Sequence, residues 1–167
     1  MMCHTAYYDS IQRIKADSMR TPTGRVGNAP SIEPDGQVGL QPPESLRLKG
    51  LRILVVEDEA LVALQLEDML YELGCVVIGP ASRVGQALEL LGAHRVDAAV
   101  LDLNVAGELV YPVAEVLEKR AVPFIFATGY GASGVADPYR GHEVLQKPFL
   151  LSQLRKTLMA GIPQQVG

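Results

Sequence analysis

The chain has 167 residues, of which 48% are hydrophobic and 20% are charged, and its formal net charge at pH 7 is −4. This length suits about one ordinary domain with some chain left over, and the composition is that of a globular protein with a hydrophobic core. Residues 51–167 carry most of the negative charge and have no basic stripe. These features argue against nucleic acid and against an anionic membrane surface as partners.

Hydropathy and cysteine content argue against a membrane-spanning protein, a secreted protein and a protein built on disulfides or cysteine-bound metal. No apolar run approaches the roughly 20 residues that a membrane span needs, and residues 1–20 lack the apolar stretch of a secretory signal. Cys3 and Cys75 lie far apart in the sequence and have neither a disulfide pattern nor metal-ligand spacing. We therefore expect a cytoplasmic protein without membrane insertion.

Residues 1–48 are predicted to form a flexible N-terminal extension. Proline and glycine are frequent from Thr21 to Pro43, where few large apolar side chains offset the cost of ordering the backbone. Tyr7, Ile11 and Ile14 have helical spacing, but so few anchors favour a frayed tail over a short amphipathic helix. A start of translation at Met19 also stays open.

Regular alternation begins after this extension. An apolar run predicts a first strand over Leu51–Val56, and apolar residues at 3.6-residue spacing then predict a helix from Val62 to Leu73 with Gly74 as its C′ residue. A second strand, Cys75–Ile78, is expected to end at Gly79-Pro80. A second helix over Val84–Leu91 should have Gly92 behind it.

The same alternation continues to the end of the chain. The remaining predicted elements are a strand at Ala98–Leu101, a helix at Val113–Leu117, strands at Pro123–Ala127 and Val144–Leu145, and a closing helix at Leu151–Leu158. Between Gly129 and Gly141, four glycines and a proline predict that any helix is short and mobile. Residues 49–161 are thus expected to form one domain, followed by a C-terminal stub at 162–167.

The alternation of strands and amphipathic helices predicts the fold class. Strands that are apolar on both faces belong to parallel sheets that are covered on both sides. We therefore expect an α/β fold with a doubly wound, five-stranded parallel sheet in the flavodoxin-like order 2-1-3-4-5 and helices on both faces. In such sheets the ligand site lies beyond the carboxyl ends of the strands.

Polar residues follow four of these strands. They are Glu57, Asp58 and Glu59 after strand 1, Asp102 and Asn104 after strand 3, Thr128 after strand 4, and Lys147 and Pro148 after strand 5. Alone, Asp58 is explained as a helix cap, Asp102 as a turn residue and Lys147 as a surface residue. Together, crowded carboxylates repel one another and require compensation, which Mg²⁺ supplies through oxygen ligands.

This arrangement predicts phosphoryl chemistry. Asp102 is the central carboxylate and a competent nucleophile that forms an acyl phosphate. Mg²⁺ is expected on Asp58, Asp102 and the main-chain carbonyl of Asn104, with Glu57 reaching it through water.

Two further residues are expected to stabilise the transferred group. Lys147 supplies positive charge to the phosphoryl oxygens, and the Thr128 hydroxyl donates a hydrogen bond to them. A cis peptide between Lys147 and Pro148 is expected to aim the lysine inward.

Four sequence runs carry a family resemblance: Val55-Val-Glu-Asp-Glu59, Leu101-Asp102, Phe126-Ala-Thr128 and Lys147-Pro-Phe149. In this order and spacing they resemble the receiver domains of response regulators (CheY-like) over roughly residues 50 to 160. The resemblance implies phosphorylation on Asp102 by a sensor histidine kinase or a histidine phosphotransfer protein. It also implies a phosphoacceptor in two-component signalling that is not an enzyme beyond self-catalysed phosphoryl transfer and autodephosphorylation.

The chain departs from the common receiver pattern. Val144 occupies the place of the usual aromatic switch residue, three positions before Lys147, and the Met-Pro that often follows the phosphorylated aspartate is missing. The Phe126-Ala-Thr-Gly-Tyr130 run resembles a branch that is often found as stand-alone proteins. Tyr130, Val144 and Pro148 are therefore the switch candidates, and our hypothesis is that Tyr130 and the glycine-rich loop behind it carry the output.

No effector domain is apparent in the sequence. We therefore expect phosphorylation-dependent binding to an unidentified downstream protein, or a role as a phosphorelay intermediate or phosphate sink. The alternatives are a phosphohydrolase with an aspartate nucleophile and a receiver-fold scaffold that works without phosphorylation. The order of the acidic motifs argues against the hydrolase, because its nucleophile follows the first strand, and crowded acids argue against the scaffold.

Overall fold

The structure is a computed structural model that describes residues 47–162. Nearly all of the predicted N-terminal extension, including the Tyr7–Ile14 stretch, and residues 163–167 of the stub lie outside this range. Leu48 is 3% exposed and packs in the core, so the packed part includes at least this residue. The boundaries at 48/49 and 161/162 stay predictions.

Strands and helices alternate along the described chain. In order they are β1 (Arg52–Val56), α1 (Ala60–Glu72), β2 (Val76–Ala81), α2 (Val84–Ala93), β3 (Ala98–Asp102), β4 (Asn104–Val105), β5 (Glu108–Leu109), α3 (Tyr111–Lys119), β6 (Phe124–Thr128), β7 (Val144–Gln146) and α4 (Leu151–Gly161). None of these helices is both long and apolar enough to cross a membrane.

The central sheet has the predicted topology. Its order is β2-β1-β3-β6-β7, and every neighbouring pair is parallel. This is the flavodoxin-like order 2-1-3-4-5, because the small antiparallel β4–β5 hairpin lies outside the main sheet. The α/β fold class is therefore confirmed.

The helices cover both faces of the sheet. On one face α1 and α4 pack through Leu66, Leu70, Leu154 and Leu158. On the other face α2 and α3 pack through apolar residues that include Leu91 and Leu117. Burial on both faces explains why β1, β3 and β6 are almost continuously apolar.

The helix ends agree in part with the glycine pattern. Gly74 has a φ of +81° and follows the C-cap Leu73, and its N–H donates to the carbonyl of Tyr71 at 2.9 Å, as a C′ glycine does. Gly92 instead lies inside α2, which continues to Ala93. The position predicted for Gly92 was therefore wrong.

Gly79-Pro80 does not end the second strand, contrary to the prediction. β2 runs to Ala81 through a cis Gly79-Pro80 bond. The register shifts from Leu54↔Ile78 to Val56↔Ala81, so β2 contains one extra residue as a bulge. Proline is tolerated there because β2 is an edge strand and does not need that N–H for a ladder on its outer side.

The segment between β6 and β7 contains only two short 3₁₀ turns, Ala132–Gly134 and Asp137–Tyr139. The prediction that any helix there is short is confirmed. The segment contacts α3, because the Ala136 N–H donates to the Tyr111 hydroxyl at 2.9 Å and the Tyr111 and Tyr139 rings stack at 4.9 Å.

Candidate functional site

A cavity of about 810 Å³ lies at the carboxyl ends of the central strands. The parallel strands β1, β3, β6 and β7 end at the same edge of the sheet, so the residues that follow them meet there. Seven of the eight residues selected at the strand ends line this cavity, as does the switch candidate Tyr130; the seven are Asp58, Glu59, Asp102, Asn104, Thr128, Lys147 and Pro148. The strand-end argument therefore brings together most of the residues that it selected.

Lys147 connects two of the carboxylates. Its Nζ donates to Oε2 of Glu57 at 2.5 Å and to Oδ2 of Asp102 at 2.9 Å. Its backbone N–H donates to the carbonyl of Thr128 at 2.9 Å, and the Lys147-Pro148 peptide is cis, as expected from the sequence. Burial alone lowers the pKa of Lys147, but the bonds to Glu57 and Asp102 outweigh it and raise that pKa, so the lysine stays charged at neutral pH.

Glu57 lies beneath the cavity rather than on its wall. Its side chain is fully buried, and its Oε1 accepts a hydrogen bond from the Glu59 N–H at 3.2 Å. Burial raises the pKa of the Glu57 carboxyl, and the hydrogen bond with Lys147 opposes this rise. The Glu57 main chain is fixed as well, since its N–H donates to the carbonyl of Ala81 at 2.9 Å.

The acidic residues form one cluster. Glu57, Asp58 and Asp102 each offer an oxygen, and these oxygens lie within 4.8 Å of one another. The N-cap of α1 is Glu59, without a side-chain cap bond, so capping does not explain Asp58. Asn104 follows Asp102 closely, and its N–H donates to Oδ1 of Asp102 at 3.4 Å.

Thr128 and Tyr130, which follow one another closely after β6, also line the cavity. Thr128 is 2% exposed, and its Oγ1 accepts a hydrogen bond from the Tyr130 N–H at 3.1 Å. The Tyr130 side chain is 80% exposed at the mouth of the cavity. Val144 instead pairs with Phe126 in the sheet and packs against the core on the α2–α3 side. It is not among the residues that line the cavity.

The β4–β5 hairpin adds cavity residues that the sequence analysis missed, namely Gly107 and Leu109. Asn104 pairs with Leu109 and Val105 with Glu108, leaving Ala106 and Gly107 as a two-residue turn. Both turn residues have positive φ, 53° and 83°, which is typical of a type I′ turn. The Ala-Gly pair was a weak sequence signal, because such turns usually carry Asn, Asp or Gly at the first of these positions.

The family assignment follows from comparison with known proteins. The profile of the response regulator receiver domain matches residues 53–159. The chain belongs to this family. Receiver domains are signalling modules of two-component systems, and histidine kinases or phosphotransfer proteins phosphorylate them.

Solved structures of receiver domains are similar to this chain. The solution structure of SdrG from Sphingomonas melonis Fr1 is 42% identical, and the match covers 68% of this chain and 98% of that chain with a TM-score of 0.63. The receiver domain of PhyR from Erythrobacter litoralis is 27% identical, covering 71% and 98% of the two chains with a TM-score of 0.62.

A curated relative supports the same assignment. The transcriptional regulatory protein PdtaR of Mycobacterium tuberculosis is 30% identical over 107 residues, which are 62% of this chain and 52% of that protein. The chain spans about half the length of the curated relatives that it matches.

Receiver domains typically bind Mg²⁺ in an acidic pocket, and the residues of this receiver domain fit that ion. Carboxylate oxygens from Glu57, Asp58 and Asp102 form a set of hard donors of the kind that Mg²⁺ prefers. Two of these three carboxylates, Glu57 and Asp102, form ion pairs with the ammonium group of Lys147. The remaining negative charge favours a bound cation.

Proposed function

We propose that this receiver domain is phosphorylated on Asp102 by a sensor histidine kinase or a histidine phosphotransfer protein. The observation that carries the proposal is the contact of 2.9 Å between the Lys147 ammonium and Asp102 at the carboxyl edge of the sheet. It sets a positive charge beside Asp102, the last residue of the central strand β3. That charge is positioned for the oxygens of a phosphoryl group on Asp102.

The surrounding residues support a division of roles. Lys147 compensates the charge of the phosphoryl oxygens, and the Thr128 hydroxyl, which accepts from Tyr130 in this structure, donates to a phosphoryl oxygen once one is attached. Asp58, Asp102 and the main-chain carbonyl of Asn104 would hold Mg²⁺, with Glu57 acting through water. When bound, the ion supplies further positive charge to the phosphoryl group. The receiver domain itself catalyses the transfer of the phosphoryl group from the donor to Asp102 and its later hydrolysis by water.

The proposed output is a change in protein binding. The phosphorylated chain would bind a downstream protein, or pass the phosphoryl group on in a relay, in the cytoplasm. Tyr130 is the proposed reporter of the phosphorylated state, because its N–H is bonded to the Thr128 hydroxyl that the phosphoryl group would recruit.

Beryllofluoride, a mimic of the phosphoryl group, tests the site without turnover. A beryllofluoride-activated conformation has been solved for SdrG. We expect Mg²⁺ with beryllofluoride to shift amide NMR signals around Thr128 and Tyr130 in the wild type and not in Asp102→Asn. The surface variant Asp68→Asn, outside the cavity, should respond like the wild type. An equal response of Asp102→Asn would contradict the proposed acceptor.

The proposed role of Tyr130 is tested by comparing two variants of this residue in the same beryllofluoride experiment. We expect Tyr130→Ala to bind beryllofluoride but to lose most of the signal changes beyond the cavity. Tyr130→Phe keeps the ring and serves as the control. Unchanged spectral effects in Tyr130→Ala would contradict Tyr130 as the switch, while leaving Asp102 as the acceptor.

A further inference from the structure

Leu109 is an exposed apolar side chain at the mouth of the Asp102 cavity. It is 51% exposed and lines the same cavity as Asp102 and Lys147. About half of this leucine is in contact with water, so further apolar surface can be buried against it by a group that enters the cavity. Leu109 is therefore placed to contact a group that enters the cavity.

The hairpin holds Leu109 firmly in this place. Leu109 pairs with Asn104, two residues after Asp102, and the turn between them has only two residues. The side chains of Val105, in β4, and of Val110, which follows Leu109, are fully buried. The Val110 N–H also donates to the carbonyl of Leu103 at 3.1 Å. The leucine backbone is thus tied to the loop that carries the proposed acceptor.

The geometry of phosphoryl transfer defines what meets this side chain. An Asp102 oxygen attacks phosphorus, and the bond from phosphorus to the leaving group breaks on the opposite, in-line side. With a phosphoimidazole donor protonated on its second nitrogen, the P–N bond breaks and neutral imidazole leaves, while Asp102 becomes an acyl phosphate. Asp102 and the half-exposed Leu109 line the same cavity, so a donor that enters it to reach Asp102 brings its leaving group into the space that Leu109 lines.

We propose that Leu109 is a specificity-determining residue that contacts the leaving group of the phosphodonor and favours an imidazole ring over a small carboxylate. A neutral aromatic ring gains free energy by removing apolar surface from water against leucine. An acetate leaving group is charged and strongly hydrated, and it gains little from the same contact. This inference rests on the proposed phosphorylation of Asp102. It adds that Leu109 makes the protein react faster with phosphodonors whose leaving group is an imidazole.

The test compares two small donors on the full chain with Mg²⁺ present. Monophosphoimidazole and acetyl phosphate are each added to the wild type, Leu109→Ala, Leu109→Met and Glu108→Ala, and intact mass is followed with time. We expect Leu109→Ala to slow phosphorylation by monophosphoimidazole about fivefold and to change the acetyl phosphate rate less than about twofold. Leu109→Met should restore most of the preference, and Glu108→Ala, next to Leu109 in the exposed strand, should behave as the wild type.

The outcomes separate the two proposals. Equal rate changes for both donors in Leu109→Ala, or an equal loss of preference in Glu108→Ala, would overturn the role of Leu109 and leave Asp102 as the acceptor. A wild type that takes phosphate from neither donor would overturn the proposed function and this inference together.

Discussion

The single positive charge of Lys147 does not balance the three carboxylates of the acidic cluster. The ammonium group bonds to Glu57 and Asp102, while Asp58 lies exposed at the cavity and adds a further negative charge. Coulomb repulsion between carboxylates that offer oxygens within 4.8 Å of one another is only partly offset by one lysine. The native state should therefore be sensitive to divalent cations at this cluster.

Magnesium is expected to stabilise the protein through Asp58. Roughly 10 mM Mg²⁺ should raise the free energy of unfolding by about 1.4 kcal/mol for a dissociation constant of about 1 mM, because the ion binds the folded state alone. Asp58→Asn should remove most of this gain, and Asp68→Asn should retain it. Urea unfolding with and without Mg²⁺ measures the difference, and an undiminished gain in Asp58→Asn would contradict the assigned ligand.

The β4–β5 hairpin is the element that sequence reasoning missed, and its turn is not optimal. Ala106 adopts a φ of 53°, a conformation that costs alanine more than it costs Gly, which has no Cβ, or Asn, whose short polar side chain hydrogen-bonds locally. Ala106→Asn should therefore raise the free energy of unfolding by roughly 0.5–1 kcal/mol. Thermal unfolding measures the effect, with Gly107→Val as an opposite control that should destabilise. A loss of stability in Ala106→Asn would mean that the turn is not of this type.

A second element contact joins the start of β1 to the loop before β3. Asp97 accepts from the N–H, Nε and Nη2 of Arg52 at 2.9, 3.0 and 3.1 Å. The hydrogen bond with Arg52 lowers the pKa of Asp97, so the pair contributes stability above the unfolded pKa near 4. That contribution is lost as the pH falls through the lower folded pKa.

The effect of substituting Asp97 on the free energy of unfolding should depend on pH. Asp97→Asn should lower the free energy of unfolding by about 1 kcal/mol at pH 7, a modest value because the pair is partly exposed. The difference from the wild type should shrink toward pH 3. Chemical unfolding across this range measures it, and a difference that is constant with pH would contradict the charged contact.

The regular elements could be predicted from the sequence because local patterns determine them. Apolar runs and 3.6-residue spacing located the five strands of the main sheet and the four helices, and the strand-end rule selected Asp58, Asp102, Thr128 and Lys147. The bulge at Gly79-Pro80 could not be predicted, since a Gly-Pro pair ordinarily indicates a turn, whereas β2 continues through a cis bond with one extra residue to Ala81. The hairpin that carries Leu109 also escaped prediction, because an Ala-Gly turn needs the flanking burial of Val105 and Val110 to form.

At the scale of the whole molecule, two layers of helices enclose one sheet, and Cys75 reports on its integrity. The thiol is 5% exposed, its Sγ lies 3.4 Å from the carbonyl of Leu48, and burial raises its pKa to about 11. In a Cys3→Ser background, labelling of Cys75 at pH 8 should be at least about 100-fold slower in the native than in the unfolded chain. Rapid labelling of the native protein would contradict the burial of Cys75 in the core beside Leu48.

Covalent phosphorylation of Asp102 tests the central claim most directly. The chain is incubated with Mg²⁺ and acetyl phosphate, and its intact mass is measured before and after treatment with hydroxylamine, which cleaves acyl phosphates. We predict the gain of one phosphoryl group in the wild type and in Asp68→Asn, its loss with hydroxylamine, and no gain in Asp102→Asn. An unmodified wild type, or the same gain in Asp102→Asn, would contradict the assignment of Asp102 as the phosphoacceptor.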